Sequence, residues 1–220
     1  MATHLVIGDP HCTPKASNER FLWAGRLAAD VGATHIICMG DFCSMDSLSS
    51  YDKKKKSFEG RRYRKDMEHS HQALSMFNKG LGKHKAKKIM LHGNHEDRID
   101  RFVDENPELD GTLKISDLNF KAFGWQEVPY KSNKVVDGIY YAHHFPSGIM
   151  GSAISGENIA RSILTKHKVS ATVGHSHLLD YAVSTLPNGK KLNALSAGCL
   201  SLIHISEPTR LLSIGDAGVV

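Results

Sequence analysis

Five apolar runs in this chain end in Asp, Asn or His. "HLVIGDPH" delivers Asp9 and His11, "THIICMGDF" delivers Asp41, and "KKIMLHGNHE" delivers Asn94 and His95. "YYAHH" ends in His143 and His144, and "ATVGHSH" in His175 and His177. Carboxylate, imidazole and side-chain amide oxygen together suit the borderline divalent ions zinc, manganese, iron, nickel and cobalt. A calcium site built from oxygen alone has no use for so many imidazoles. A thiolate site would recruit cysteine, yet Cys12, Cys38, Cys43 and Cys199 lack CxxC spacing, and only Cys12 and Cys43 neighbour these strand ends. A glycine precedes Asp9, Asp41, Asn94 and His175, where it lets the backbone turn sharply and the ligands approach one another. One Gly-Asp is an ordinary turn, and one strand histidine is an ordinary core residue. The weight lies in the ordered set.

Ligands at the ends of several strands meet in one crevice when the strands share an α/β sheet. Short apolar runs alternating with helical spacing predict such an architecture. Strands are expected at about 3–8, over "ATHIICMG" and over "AKKIMLHG". Helices are expected at 18–30, with Gly32 as its stop, and at 59–79, ended by Gly80 and Gly82. A short helix carries Ile99, Phe102 and Val103, and another spans 156–167. Residues 107–135 read least clearly, as a small helix and an edge strand. Strands follow at "DGIYYAHHF" and "KVSATVG", then a hairpin turning at Pro187-Asn188-Gly189. The chain reads as one domain over 1–205 and a tail, 206–220, without clear pattern. Gly215-Asp216 in that tail repeats the Gly-Asp motif with nothing ligand-like after it.

The net charge of +5 is unevenly spread. Residues 52–88 hold thirteen Lys or Arg against four Asp or Glu, a local +9 that leaves −4 for the rest. Such a run is either a solvated face or a patch for a polyanion such as nucleic acid. No apolar stretch approaches a membrane span, and no leader pattern opens the chain. With no disulfide framework either, the expectation is a cytoplasmic protein without membrane contact. Oligomeric state is not legible.

The ordered set "GDPH", "GDF", "GNHE", "YAHH" and "GHSH" resembles the calcineurin-like metallophosphoesterases over residues 5 to about 200. The stretch "SLSSYDKKKKSFEGRRY" also resembles bacteriophage-encoded phosphoesterases, which would place the protein in a host cytoplasm. The resemblance implies an αββα four-layer sandwich of two mixed sheets flanked by helices, with a dinuclear metal site at the strand ends. It implies that Asp9, His11 and His177 hold one ion, that Asn94, His143 and His175 hold the other, and that Asp41 bridges them. Manganese is the leading expectation, with zinc, iron, nickel or cobalt as alternatives. His95 matches the catalytic histidine beside the leaving group, and Arg98, two positions after Glu96, matches a phosphate-contacting arginine. Asn94 shares in substrate binding, and Asp41 counts as catalytic through its bridge. A hydroxide between the ions would attack phosphorus in line, while His95 protonates the departing alkoxide.

Two departures stand out. "GDFCS" lacks the second acid of the "GDxxD" form, so the support of His95 is open between Asp46 and Asp97. "YAHH" offers His143 and His144, with His143 preferred. His4, His35, His69, His71, His84, His167 and His204 lie outside the motifs and read as surface or structural, and His92 as packed near the site. The leading function is hydrolysis of phosphodiesters in nucleotides or nucleic acid, since the basic window falls between the second and third motifs. The alternatives are a phosphomonoesterase for phosphoproteins or small phosphoesters, a non-catalytic scaffold on the same fold, and a DNA-binding accessory protein using the basic window alone.

Overall fold

The computed structural model describes residues 2–51 and 53–200. The tail 206–220, with Gly215-Asp216, and His204 lie outside the described residues. The chain is mixed α/β. Strand β1 (His4–Ile7) leads through helix α1 (Glu19–Asp30) to β2 (His35–Cys38), and α2 (Tyr63–Leu81) leads to β3 (Lys87–Leu91). Helix α3 (Arg98–Glu105) and three short 3₁₀ turns then carry the chain to β4 (Trp125–Val128). These four strands form one sheet in the order β1-β2-β3-β4. Every pair in it is parallel. The expectation of two mixed sheets is therefore corrected for this one. Each connection is a helical crossover, which returns the chain to the same edge and sends each strand the same way.

The second sheet is mixed. Strands β5 (Asn133–Val136) and β6 (Ile139–Ala142) form a hairpin, and a short ribbon of β7 (Pro146–Ser147) and β8 (Ser152–Ala153) follows. Helix α4 (Ile159–His167) precedes β9 (Ala171–Val173), β10 (Leu179–Thr185) and β11 (Lys191–Ala197). The order is β10-β11-β9-β6-β5, antiparallel at both ends and parallel through β11-β9-β6. Val136 pairs with Ile139. Asp137 and Gly138 between them both have positive φ, 49° and 81°. That is the two-residue hairpin which Asp-Gly favours.

Alternation along the parallel strands divides the core. Ile36 and Met90 fall in one cluster with Phe21, Leu74 and Phe77 from α1 and α2. Their neighbours Ile37, Ile89 and Leu91 fall in another with Val136, Ile139 and Tyr141 of the second sheet. A third cluster joins Ile159, Ile163 and Leu164 of α4 to Val173, Leu192 and Ala194.

Helix α2 runs through Gly80, which was expected to end it, and stops at Gly82, whose φ is 60°. Gly80 is there for space. A Cβ on it would lie 2.1 Å from Leu22 O, and one on Gly25 would lie 2.2 Å from Phe77 O. The two glycines let α1 and α2 touch backbone to backbone, and most side chains would push them apart.

Candidate metal centre

All seven expected ligands converge where β1, β2, β3, β6 and β9 end. The parallel pairing of β1 and β2 continues past their last residues. His11 N–H donates to Asp41 O at 2.9 Å, and Cys12 N–H to Phe42 O at 2.7 Å. That extension holds the first two motif loops side by side. Buried Arg20, unremarked in the sequence, adds a donor from α1 to Pro10 O at 3.1 Å.

Three groups of side chains each bring their ligand atoms within 4.8 Å of one another: Asp9-His11-His177, His11-Asp41-His95 and Asp41-His143-His175. Asp41 belongs to two of them. Its Oδ2 lies 3.9 Å from His11 Nε2, 3.9 Å from His95 Nε2 and 3.5 Å from His143 Nε2. On the other side, Asn94 Oδ1 is 3.0 Å from His143 Nε2 and 2.9 Å from His175 Nδ1. His11 Nε2 and His177 Nε2 approach to 2.8 Å, and His177 Nε2 stands 3.6 Å from Asp9 Oδ2.

Local backbone explains how so many ligands face inward. His11, Asp41, His175 and His177 all take positive φ, between 44° and 66°. Non-glycine residues in that region are strained, and such strain collects at functional sites. The expectation from sequence assigns the sharp turns to the preceding glycines. Of these only Gly40 turns left-handed; Gly93 and Gly174 instead supply room. A Cβ on Gly93 would lie 2.1 Å from Asp41 Oδ1, and one on Gly174 2.1 Å from Asp9 Oδ1.

Asp9, His11, Asp41 and His143 are buried, and their electrostatics follow from that. Burial lifts the Asp9 carboxyl well above the usual range, with the Asp41 charge adding to it. Burial does the same to Asp41, helped by Glu96. His11 is pushed down to about 2, and His143 to about 3, again chiefly by burial. These imidazoles are neutral, so the Asp–His approaches are not ion pairs. Among the described residues, buried Asp9 Oδ1 has no hydrogen-bond partner. The orphaned oxygen of Asp9, two buried carboxyls of which only Asp41 feels a cation (that of Arg98), and neutral imidazoles together fit a divalent ion, which would supply further positive charge.

The open choices can now be read from geometry. His143 Nδ1–H donates to Met39 O at 2.8 Å, which points Nε2 into the cluster. His144 belongs to none of the groups. His95 leans on neither Asp46 nor Asp97: its Nδ1 bonds Ser44 O at 2.7 Å. Asp46 accepts instead from the Thr13 hydroxyl, and Asp97 pairs with Arg101 at 2.9 Å. Cys12 and Cys43 are buried thiols outside the groups. His92 is buried against Phe120, as expected for a packed residue.

Sequence reasoning missed the role of Glu96. Its buried carboxylate accepts from the backbone N–H of Asp41 at 2.9 Å, Cys43 at 3.2 Å and Gly93 at 2.7 Å. It ties the ends of β2 and β3 together from behind. The "GNHE" motif itself was the available signal.

Arg98 donates to Ser44 O at 2.8 Å and reaches His95 Nε2 at 3.2 Å. With Asn94, Arg101, Ser50 and Tyr51 it lines a cleft of about 230 Å³.

No protein-family model matches the chain, and no curated protein matches it. Among solved structures, one crystal structure that carries no protein name is 12% identical, covers 90% of each chain and has a TM-score of 0.44. The protein TT1561 of Thermus thermophilus is 9% identical over 91% of each chain, with a TM-score of 0.42. Likeness at this level carries no argument about function.

Proposed function

We propose that this chain is a metal-dependent phosphoester hydrolase of the calcineurin-like kind, with two divalent ions at the strand ends. The observation that carries the reading is the position of Asp41, whose Oδ2 faces His11, His95 and His143 at 3.5–3.9 Å. A carboxylate so placed suits a bridge. The first ion would be held by Asp9, His11 and His177, the second by Asn94, His143 and His175. The αββα four-layer arrangement belongs to the same proposal, supported by the division of the core into three clusters.

Such a pair of ions, when bound, supplies an activated water and neutralises charge on the phosphoryl oxygens. The protein's own groups do the rest. Arg98, held by Ser44 O, offers its guanidinium to phosphoryl oxygens at the mouth of the cleft. His95 keeps one proton on Nδ1 through Ser44 O and turns Nε2 toward the site. Burial, and then Arg98, push this imidazole down to about 3, so it is neutral until an anionic group stands beside it. A bound phosphoryl group raises its basicity, so that Nε2 takes a proton from solvent and gives it to the departing alkoxide oxygen, which leaves as the alcohol while the ring returns to neutral.

Diester substrates in nucleotides or nucleic acid are the first choice. The cleft borders Ser50 and Tyr51, where the chain enters the basic window. The cleft's small volume favours a second reading, a monoesterase for compact phosphoesters. Assays with bis-p-nitrophenyl phosphate, p-nitrophenyl phosphate, plasmid DNA and a phosphopeptide in manganese separate the two. Turnover surviving in Asp41→Ala or His95→Ala would refute the mechanism. Protein purified without chelator that is metal-free and cannot be reconstituted would instead favour a scaffold.

A further inference from the structure

A second cluster of metal-ligating side chains lies at the opposite ends of the strands. His4 opens β1 and His35 opens β2, and the two are paired in register. Their rings sit 4.9 Å apart between centroids. Asp137 reaches them from the second sheet, projected by the Asp137-Gly138 hairpin turn, and its Oδ2 lies 2.8 Å from His4 Nε2. One ligand atom from each of the three falls within 4.8 Å of the others. Asp9 lies five positions after His4 along extended chain, about 16 Å at the rise of a strand, so this cluster is distinct from the candidate centre.

We propose that His4, His35 and Asp137 form a separate divalent-cation site, of the kind zinc occupies. Two imidazoles and one carboxylate are a zinc donor set, with water taking the remaining position. The other nitrogen of His4, Nδ1, bonds the buried Tyr141 hydroxyl at 2.8 Å. That is the outer contact that orients a ligating imidazole. His4, Asp137 and Tyr141 also line a cavity of about 510 Å³, which leaves room for the water. The competing account is a plain His4–Asp137 ion pair. The Asp137 side chain is 54% exposed, so such a pair contributes little, and it leaves out the His35 ring, whose Nδ1 meets the Thr34 hydroxyl at 3.2 Å. A bound ion would pin the β5–β6 turn to the starts of β1 and β2 and so couple the two sheets.

The test is a metal count. The full chain is dialysed against a fixed zinc concentration and bound zinc is measured per chain, for wild type, Asp137→Asn and His35→Ala. Circular dichroism first establishes that each variant is folded; Asp137→Asn changes an exposed side chain and serves if His35→Ala does not fold. The expected result is one equivalent fewer in each variant, with a smaller zinc-induced rise in Tm. Asp41→Asn, by contrast, keeps that equivalent. Cobalt gives an independent reading, since the wild-type minus Asp137→Asn spectrum should show the intense visible bands of a tetrahedral ion. Equal zinc counts in wild type and both variants, or a flat cobalt difference spectrum, would overturn the site. The count does not depend on the hydrolase reading, which stands or falls separately on turnover.

Discussion

The backbone N–H of His95 donates to Asp41 Oδ1 at 2.8 Å, while the His95 ring stands 3.9 Å from Asp41 Oδ2. One carboxylate thus fixes the loop that carries His95 and faces its imidazole. The two residues are separable by mutation. His95→Ala should lower kcat by about 10²–10⁴-fold, the usual worth of a general acid, with bound manganese retained. Asp41→Asn should lose turnover and manganese together. Steady-state kinetics beside a metal count distinguishes the two patterns.

Glu96 is a stability determinant behind the site. Glu96→Ala leaves three buried N–H groups, those of Asp41, Cys43 and Gly93, without an acceptor. At about 1–3 kcal/mol for each unsatisfied group, the loss should reach at least ~3 kcal/mol. Urea denaturation reads it directly. A variant as stable as wild type would remove Glu96 from this role.

Two glycine substitutions should part stability from metal binding. Gly93→Ala drives a methyl group into Asp41, 2.1 Å from Oδ1 and 2.5 Å from N, and should reduce metal affinity. Gly80→Ala meets only the α1 backbone. It should cost about 1–3 kcal/mol of stability, as overpacking does, with the metal count intact.

The pH dependence carries a defined sign. Asp9 and Asp41 have raised carboxyl values in the metal-free fold, so the fold holds protons that the unfolded chain releases. Their contribution is present below the unfolded carboxylate value, ~4, and is lost as pH rises through the folded values. His11 and His143 have the opposite sign. Their folded values are about 2 and about 3, so their contribution is present above the unfolded value of ~6.5 and fades below it. A divalent ion needs the carboxylates ionised, whereas these imidazoles are already neutral. The Tm difference between manganese-loaded and chelator-treated protein should therefore widen from pH 5 to pH 8. A constant difference across that range would contradict the placement of these acids as ligands.

The basic window is tested by salt. Replacing Lys53, Lys54, Lys55 and Lys56 with Gln should weaken binding of single-stranded DNA and flatten its dependence on log salt, by about 0.7 for each phosphate no longer neutralised. Gel shifts at several salt concentrations measure both. An unchanged slope would leave the window a solvated face.

Much of this arrangement was legible because periodicity and ligand chemistry are local properties. The runs ending in Asp9, Asp41, Asn94, His143 and His175 became the ends of β1, β2, β3, β6 and β9, and α1 lies within a residue of its expected span. Residues 107–123 resisted because three short 3₁₀ turns leave no period to read. The "VVDGIY" hairpin carries a signal in its Asp-Gly pair, one that the expectation of a single strand over "DGIYYAHHF" did not use.

What the sequence alone determined was which side chains stand at the ends of apolar runs, because strand length and turn propensity act between near neighbours. Which of them share a point in space was decided only by the fold. The bond of His143 to Met39 O, the support of His95 by Ser44 O, the clasp of Glu96 on Asp41 and Cys43 and the His4-His35-Asp137 cluster each join residues far apart in the chain. Such contacts depend on sheet order, register and crossover, which no local run of residues encodes.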